Sequence, residues 1–503
     1  MIAILLILIP MAGAAAAFAW PSDRTRPWLL PAVGSAHLAL SLWLLVYPPI
    51  VAPGAWLAFD AIARAVLPVV SLLFFVCATY GVTYLRIRPE RPNRVFVASL
   101  LAVIGLISAG HLARHLGVLW IGTEAVTLAA VPLLHFNNTP RAFEATWKYL
   151  LVGGTGIALS LLGSFCLGYA SLLGGGTGDL TFVSLAAQGT GLSHTWVLIA
   201  WVLLLAGYGT KMGLAPMHTW KPEAYGEAPG IVGALLAGGV TTVAFTAILR
   251  VRAVVGAAGA GEIADRTLLA IGLFSIVVAA IFLLATRDFK RMLGYSSVEH
   301  MGILVLAASF GAAGVWVAFF HVWSNSLTKG ALFLSGANIR RAAGSASIDE
   351  VRGAAVLTPR SATLFVAGLF AVTATPPFGP FFSELRVVRV AFETGHTTAM
   401  AVFLTCLLLA FIGMSRVVFA IVDGRPRASV RVAAARFVES RGAILPPLLL
   451  LGLSLWLGLF TPPLLQRAWS DAAEQLTSSP AVVMRSVPAS TAAPAPAPPE
   501  PTP

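Results

Sequence analysis

Charge is what this sequence has least of. Asp, Glu, Lys and Arg make up 11% of the chain, against about 25% in soluble globular proteins, while 58% of its residues are apolar and its mean hydropathy is +0.85. That balance excludes a soluble domain and reads as an all-α polytopic membrane protein embedded in a lipid bilayer. The net charge of +12 does not point to nucleic acid, because excess Arg in a membrane protein belongs to its cytoplasmic loops. Cysteine is also scarce. Cys77, Cys166 and Cys406 stand alone in apolar runs and form no CxxC, so no disulfide framework, zinc site or iron–sulfur site is indicated. There is no GxGxxG after a strand, no P-loop, no haem-attachment motif, no HExxH, and no Ser or Cys nucleophile with a local base. The expectation is a chain with no cofactor, no metal and no catalytic residue of its own.

What is there is a series of long apolar runs. A span needs about 20 mostly apolar residues. On that rule the chain reads as about fourteen helices, at 2–20, 28–47, 56–84, 95–110, 114–135, 146–173, 195–216, 229–250, 266–286, 292–311, 314–337, 361–382, 397–422 and 443–465. The first run resembles a signal peptide but lacks the basic leading segment, so it is read as a span. With the N-terminus outside, the inside loops collect the basic residues: Arg24 and Arg26; Arg86, Arg88, Arg91 and Arg94; Arg141; Lys221; Arg287, Lys290 and Arg291; Arg340, Arg341, Arg352 and Arg360; and Arg425, Arg427, Arg431, Arg436 and Arg441. The outside loops keep mainly Arg114, Arg252, Arg386 and Arg389, and loop 174–194 has no basic residue. By the positive-inside rule, both termini are expected on the extracytoplasmic side. The Pro/Ala-rich tail after about residue 485 cannot build a core and is expected to be disordered.

Two of the five lysines, Lys211 and Lys329, lie in flanks too hydrophobic to be loops, and Glu124 lies inside the fifth run. A charge at membrane depth costs roughly 2.5–3.5 kcal/mol on insertion scales, so such residues face a protein interior or a wet path and usually have a partner. If Glu124 and Lys211 face each other, each keeps the other charged, and moving one away makes the lysine release its proton. The plainer alternative is a static ion pair that fixes helix packing. His321, Asn325 and Lys329 recur at i, i+4 and i+8, so they share a helix face, with Ser324 and Thr328 on the adjacent stripe. That polar stripe suits a proton wire, or helix packing through small polar residues. His300 and His218 lie near other span ends, where a relay role and an interfacial role are equally open. Glu384 is a carboxylate for exit or coupling, or the partner of Arg386 and Arg389. Glu223 and Glu227 read as solvated loop charges. Pro216 follows Lys211, and Pro376, Pro377 and Pro380 follow Lys329. Two interrupted spans at corresponding places are the mark of repeat-built transporters, though a plain proline kink is the alternative for either one.

These residues resemble the antiporter-like subunits of respiratory complex I and the Mrp antiporters. The stretches that carry the likeness are LGVLWIGTEAVTLA, GYGTKMGLAPMHTWKPEAYGEAPGIVGALLAG, TRDFKRMLGYSSVEHMGILVL, FFHVWSNSLTKGALFLSGANI and TATPPFGPFFSEL, within residues 60–420. LGVLWIGTEAVTLA, TPRAFEATWKYLLVGGTGIALSLLG and PPFGPFFSE resemble the hydrogenase-4 component F branch of membrane-bound [NiFe] hydrogenase and formate hydrogenlyase complexes. The resemblance implies fourteen helices, two inverted five-helix repeats (spans 4–8 and 9–13), and breaks in helices 7 and 12. It divides the chain into 1–92, 93–254 (first repeat), 255–424 (second repeat), 425–470 (helix 14) and a 471–503 tail. It matches Glu124, Lys211, Lys329 and Glu384 to functional positions of the family; with the candidates His218, His300, His321 and Asn325 read above, they make up the expected proton pathway. It also implies other membrane subunits and soluble hydrogenase-like or dehydrogenase-like iron–sulfur subunits as partners, in a bacterial inner membrane. Any oxidoreductase activity would belong to that assembly.

The chain departs from the family at two places. The eighth-helix position that is lysine or histidine in relatives falls here among Ala237 and Thr242, and a second eleventh-helix histidine is replaced by Asn325, which cannot take a proton. A Mrp-type cation/proton antiporter subunit, a membrane component of inorganic-carbon uptake, and a scaffold whose pathway has decayed are the other readings.

Overall fold

The structure, a computed structural model, describes residues 2–52, 54–426, 434 and 437–477. Arg427, Arg431 and Arg436 of the expected inside loop, and the tail from residue 478, lie outside the described residues. Among the described residues every regular element is a helix, with isolated bridges only at Leu57–Ala113, His115–Thr181 and Asp288–Ser347. In lipid this follows from the backbone, because a helix satisfies its own N–H and C=O groups.

In chain order the helices begin with α1 (Leu5–Ala19), α2 (Leu29–Val46), α3 (Ala61–Arg86), α4 (Arg94–Leu112) and α5 (Leu116–Leu134). They continue with α6 (Pro140–Leu173), α7 (Phe182–Gln188), α8 (His194–Met212) and α9 (Trp220–Glu227). α10 (Gly230–Leu235) passes through a π turn (Leu236–Val240) into α11 (Thr241–Val255), and the backbone kinks at Gly259, φ +84°, before α12 (Gly261–Ala285). Next are α13 (Phe289–Ala308), α14 (Gly311–Ala343), α15 (Ala354–Leu357), α16 (Pro359–Val372), α17 (Gly379–Glu393), α18 (Thr397–Val422), α19 (Arg441–Leu459) and α20 (Pro463–Thr477).

Ten stretches among the described residues are long and apolar enough to cross a membrane. The difference from the fourteen read in the sequence has three sources. α13 and α14 carry Glu299, His300 and Lys329 and are too polar for that measure; α16 and α17 are halves of one broken run; and the 56-residue stretch Gly230–Ala285 is bent in two at Gly259. Both expected breaks are present. α8 stops at Met212, seven residues before α9, and α16 stops at Val372, six residues before α17.

α14, with 33 residues, is about 50 Å long at 1.5 Å per residue and is buried along most of its length. α3, α10, α13, α16, α17, α19 and α20 pack around it. It is the axis of the molecule, and it carries Lys329.

Several placements differ from the sequence reading. Arg386 and Arg389 lie within α17 rather than in an outside loop, and Arg389 pairs with Glu393, not Glu384. Lys221 is fully buried rather than in a loop, and Lys290 is buried with its Nζ on the Gly226 and Ala228 carbonyls at 2.7 and 2.5 Å. The segment after Pro216 folds back as α9, so residues that look like a polar loop enter the protein. Arg252 sits within α11, paired with Asp265 at 2.5 Å, not in an outside loop. Residues 471–477, the start of the expected 471–503 tail, complete α20, an amphipathic helix docked on α3 and α14 through Trp469.

A buried ion pair locks this end of the bundle. Asp60 caps α3 by accepting from Ala63 N and takes both arms of the Arg250 guanidinium at 2.7 and 3.0 Å. Arg250 also reaches the His111 carbonyl, and Gln475 of α20 reaches Asp60. Removing one partner of such a pair leaves an uncompensated charge, at roughly 3–5 kcal/mol. Arg250→Ala should therefore lower the thermal midpoint of the detergent-purified protein sharply. Arg266→Ala, which removes an exposed pair with Glu262, should leave the midpoint unchanged.

Candidate functional site

The first polar cluster joins α5, α6 and α8. Lys211 Nζ lies 3.5 Å from Glu124 Oε2, with Lys211 5% and Glu124 25% exposed. At that distance the contact is an ion pair rather than a hydrogen bond. The ammonium donates instead to Thr127 Oγ1, one turn along from Glu124, and stands over the Tyr149 ring at 5.8 Å. The lysine is thus held by Thr127, while Glu124 Oε2 accepts no hydrogen bond. Small residues make the room. A Cβ on Gly153 would meet Lys211 Nζ at 2.8 Å, one on Gly156 would meet Thr210 Cβ at 2.7 Å, and one on Gly207 would meet the Gly156 carbonyl at 2.5 Å. This is the close approach that small residues give to membrane helices.

The break after α8 exposes carbonyls that must be satisfied. Gly213 turns left-handed, φ +81°, and two side chains of α9 return to the freed groups: Trp220 Nε1 to Thr210 O at 2.9 Å and Lys221 Nζ to Met212 O at 2.7 Å. His218, in the same break, is buried beside the stacked Phe282 and Tyr295 rings, and its Nδ1 has no side-chain hydrogen-bond partner. It makes no hydrogen bond to any other residue of the expected pathway.

The second cluster joins α13, α14 and α17. Lys329, fully buried, donates to Ser296 Oγ, and it interacts electrostatically with Glu299 and Glu384. His300 Nδ1 lies 2.9 Å from His321 Nε2, and His321 Nδ1 lies 2.8 Å from Ser383 Oγ. Both oxygens of the neighbouring Glu384 are buried without a hydrogen-bond partner. The expected stripe along α14 thus has its hydrogen bonds running sideways at His321, to α13 and α17. Asn325 is buried on the same helix with its Oδ1 unpartnered. His300, His321 and Glu384 each offer an atom within 4.8 Å of the others, close enough to hold a metal ion. Both His321 nitrogens are already engaged, however, Nε2 with His300 and Nδ1 with Ser383, and a metal would have to displace one of those hydrogen bonds. As it stands the geometry suits proton exchange.

Several members of these clusters escaped the sequence reading. Glu299 had a visible signal, a carboxylate beside His300 inside an expected span. Lys221 had none, because HTWKPEAYGEAPG has loop composition. Thr127, Ser296 and Ser383 look like ordinary small polar residues until their neighbours are known. In α11, Thr242 and Thr246 turn to His111, at 3.0 and 3.3 Å, and Ala237 lies in the π turn.

The fold and the two clusters define a multi-pass helical membrane protein with buried lysines beside two broken helices. More particularly, the chain belongs to the family described as NADH:quinone oxidoreductase/Mrp antiporter, transmembrane, whose model matches residues 113–410. It is 31% identical over 396 residues to a hydrogenase-4 component F homolog of Methylacidiphilum infernorum, covering 77% of this chain and 83% of that one. It is likewise 31% identical over 425 residues to NADH-quinone oxidoreductase subunit N of Desulforudis audaxviator, covering 81% and 82%. In fold it matches a chain of the archaeal membrane-bound sulfane sulfur reductase with a TM-score of 0.85 at 22% identity, covering 96% of this chain and 99% of that one. A chain of the Mrp complex from Dietzia sp. matches with a TM-score of 0.82 at 20% identity, covering 96% and 98%.

Gly156→Val should separate α6 from α8 and lower the thermal midpoint, at about 1–3 kcal/mol for overpacking. Gly154→Val, where nothing lies within 4 Å of the added Cβ, should not; equal midpoints for the two would count against the close packing of this pair.

Proposed function

We propose that this chain is the proton-translocating membrane subunit of a multisubunit redox complex of the hydrogenase-4 or complex I kind. The observation that carries the reading is the pair of buried lysine clusters. Each holds an ammonium on a hydroxyl, Thr127 or Ser296, with carboxylates near enough to stabilise it and free enough to leave it. Pulling Glu124 from Lys211 would leave that ammonium uncompensated and drive its proton onward, which is how a conformational push becomes proton movement.

The pathway runs through Glu124, Lys211, His300, His321, Lys329 and Glu384, with Glu299 as a further carboxylate beside Lys329. His218 lies at the mouth of the first break, and Asn325 orients the path without carrying a proton. Residues 93–254 form the first half-pathway and 255–424 the second. The push comes from electron transfer in soluble hydrogenase-like or dehydrogenase-like iron–sulfur subunits, relayed through neighbouring membrane subunits. The chain itself supplies the proton path.

Lys211→Ala should abolish proton uptake into inverted native-membrane vesicles, followed by acridine-dye quenching, while electron transfer partly persists. Unchanged proton uptake would sink the reading. A gentle-detergent pull-down of the tagged chain should bring down iron–sulfur subunits. Recovery of Mrp-type subunits alone would favour the antiporter reading, and recovery of one unrelated soluble protein would favour solute uptake.

The positive-inside rule supports a topology with both termini on the extracytoplasmic side, and this is separately testable. All three native cysteines are buried, so background labelling is low. In intact cells a membrane-impermeant maleimide should label Thr177→Cys and leave Glu90→Cys unlabelled; the reverse pattern would invert the topology.

A further inference from the structure

Lys221 is the one fully buried lysine that the pathway above leaves unused, apart from the clamped Lys290. Its position joins the two clusters. Nζ donates to the carbonyl of Met212, the residue after Lys211, at 2.7 Å. On its other side it lies 3.5 Å from the carbonyl of Ser297, the residue after Ser296, whose hydroxyl holds Lys329. It also interacts electrostatically with Lys329 directly. No carboxylate among the described residues pairs with it. Its other neighbour is the Tyr225 ring, at 5.8 Å. The Tyr225 and Ser297 hydroxyls are both buried and interact with each other, and neither has a hydrogen-bond partner elsewhere. Gly213 makes the space, since a Cβ there would meet Lys221 Cδ at 2.6 Å.

We infer that Lys221 is the proton carrier linking the Lys211 half of the pathway to the Lys329 half, an inference that rests on the proton-translocating reading above. Three features support it. An ammonium held by carbonyls alone can give up a proton and, as a neutral amine, still donate two N–H groups to the same two carbonyls, so its site survives the change of charge. Like charges at Lys221 and Lys329 oppose one another, so a proton arriving at one favours departure from the other. The Tyr225 and Ser297 hydroxyls, which interact with each other, provide groups through which a bridged step can pass. In the step itself, one proton moves onto the neutral Lys221 amine from the Lys211 side, and one leaves the resulting ammonium toward the Lys329 side. No bond other than N–H forms or breaks.

The competing role is structural, with Lys221 as a fixed cation capping the C-terminal carbonyls of α8. The test uses the full chain, purified with its native membrane partners and reconstituted in liposomes containing pyranine. A potassium diffusion potential set with valinomycin drives protons, and flux is normalised to the reconstituted protein. Lys221→Met keeps the length and removes the titrating nitrogen. Lys221→Arg keeps a cation on the carbonyls but cannot release a proton. Both variants should lower flux at least about a hundredfold, the low end of what losing a positioned proton-transfer group costs. Full flux in Lys221→Arg, or in whatever fraction of Lys221→Met can be purified, overturns the inference. Lys211→Met is the control for the reading beneath it. Loss of flux in Lys211→Met with full flux in the Lys221 variants removes Lys221 alone, whereas full flux in Lys211→Met removes the translocation reading itself.

Discussion

The low dielectric of the bilayer interior is the constraint on which the rest of this molecule depends. Every charge that lies at depth must be compensated, and the compensation found here is deliberately incomplete in some places and complete in others. Asp60 and Arg250 are paired through both guanidinium arms and capped on each side, a fixed joint between α3, α4, α11 and α20. Lys211 and Glu124 stand 3.5 Å apart, with the carboxylate partly exposed. The first arrangement resists change of charge and the second permits it. Fixed and loosely held buried ion pairs are thus told apart by geometry rather than by residue type.

The broken helices follow from the same constraint. Interrupting a helix at membrane depth frees carbonyls that water cannot reach, so protein groups must satisfy them. After α8 these groups are Trp220 and Lys221; at the π turn Leu236–Val240, Ser326 of α14 donates to the Gly238 carbonyl at 3.0 Å. Each repair places a polar side chain deep in the bundle. The breaks thereby do two things at once: they bring α9 into the interior, and they populate the space between the two lysine clusters with titratable and hydroxyl groups.

Much of the fold is legible in the sequence, because apolar run length and the Arg bias of alternate loops are one-dimensional signals. Lys211, Lys329 and Glu124 are equally legible, since a charge within an apolar run has few places to go. Glu299 could have been read by the same argument. α20 was hidden for a different reason: with LLQRAWSDAAEQLT it has the composition of a surface segment, and its apolar face counts as buried only once α3 and α14 are in place to receive it.

The sequence by itself determined a many-helix membrane protein, with two interrupted runs and ionisable residues inside the spans, because hydropathy and charge act along the chain. Only the tertiary structure decided which of those residues meet. It paired Lys211 with Glu124 across three helices, sent the His321 hydrogen bonds sideways to His300 and Ser383 rather than along α14, and turned Lys221 from a loop lysine into the residue between the two clusters. These are contacts between segments far apart in sequence. They are set by how closely glycine-lined helices approach and by where freed carbonyls call for a donor, and neither is written in local composition.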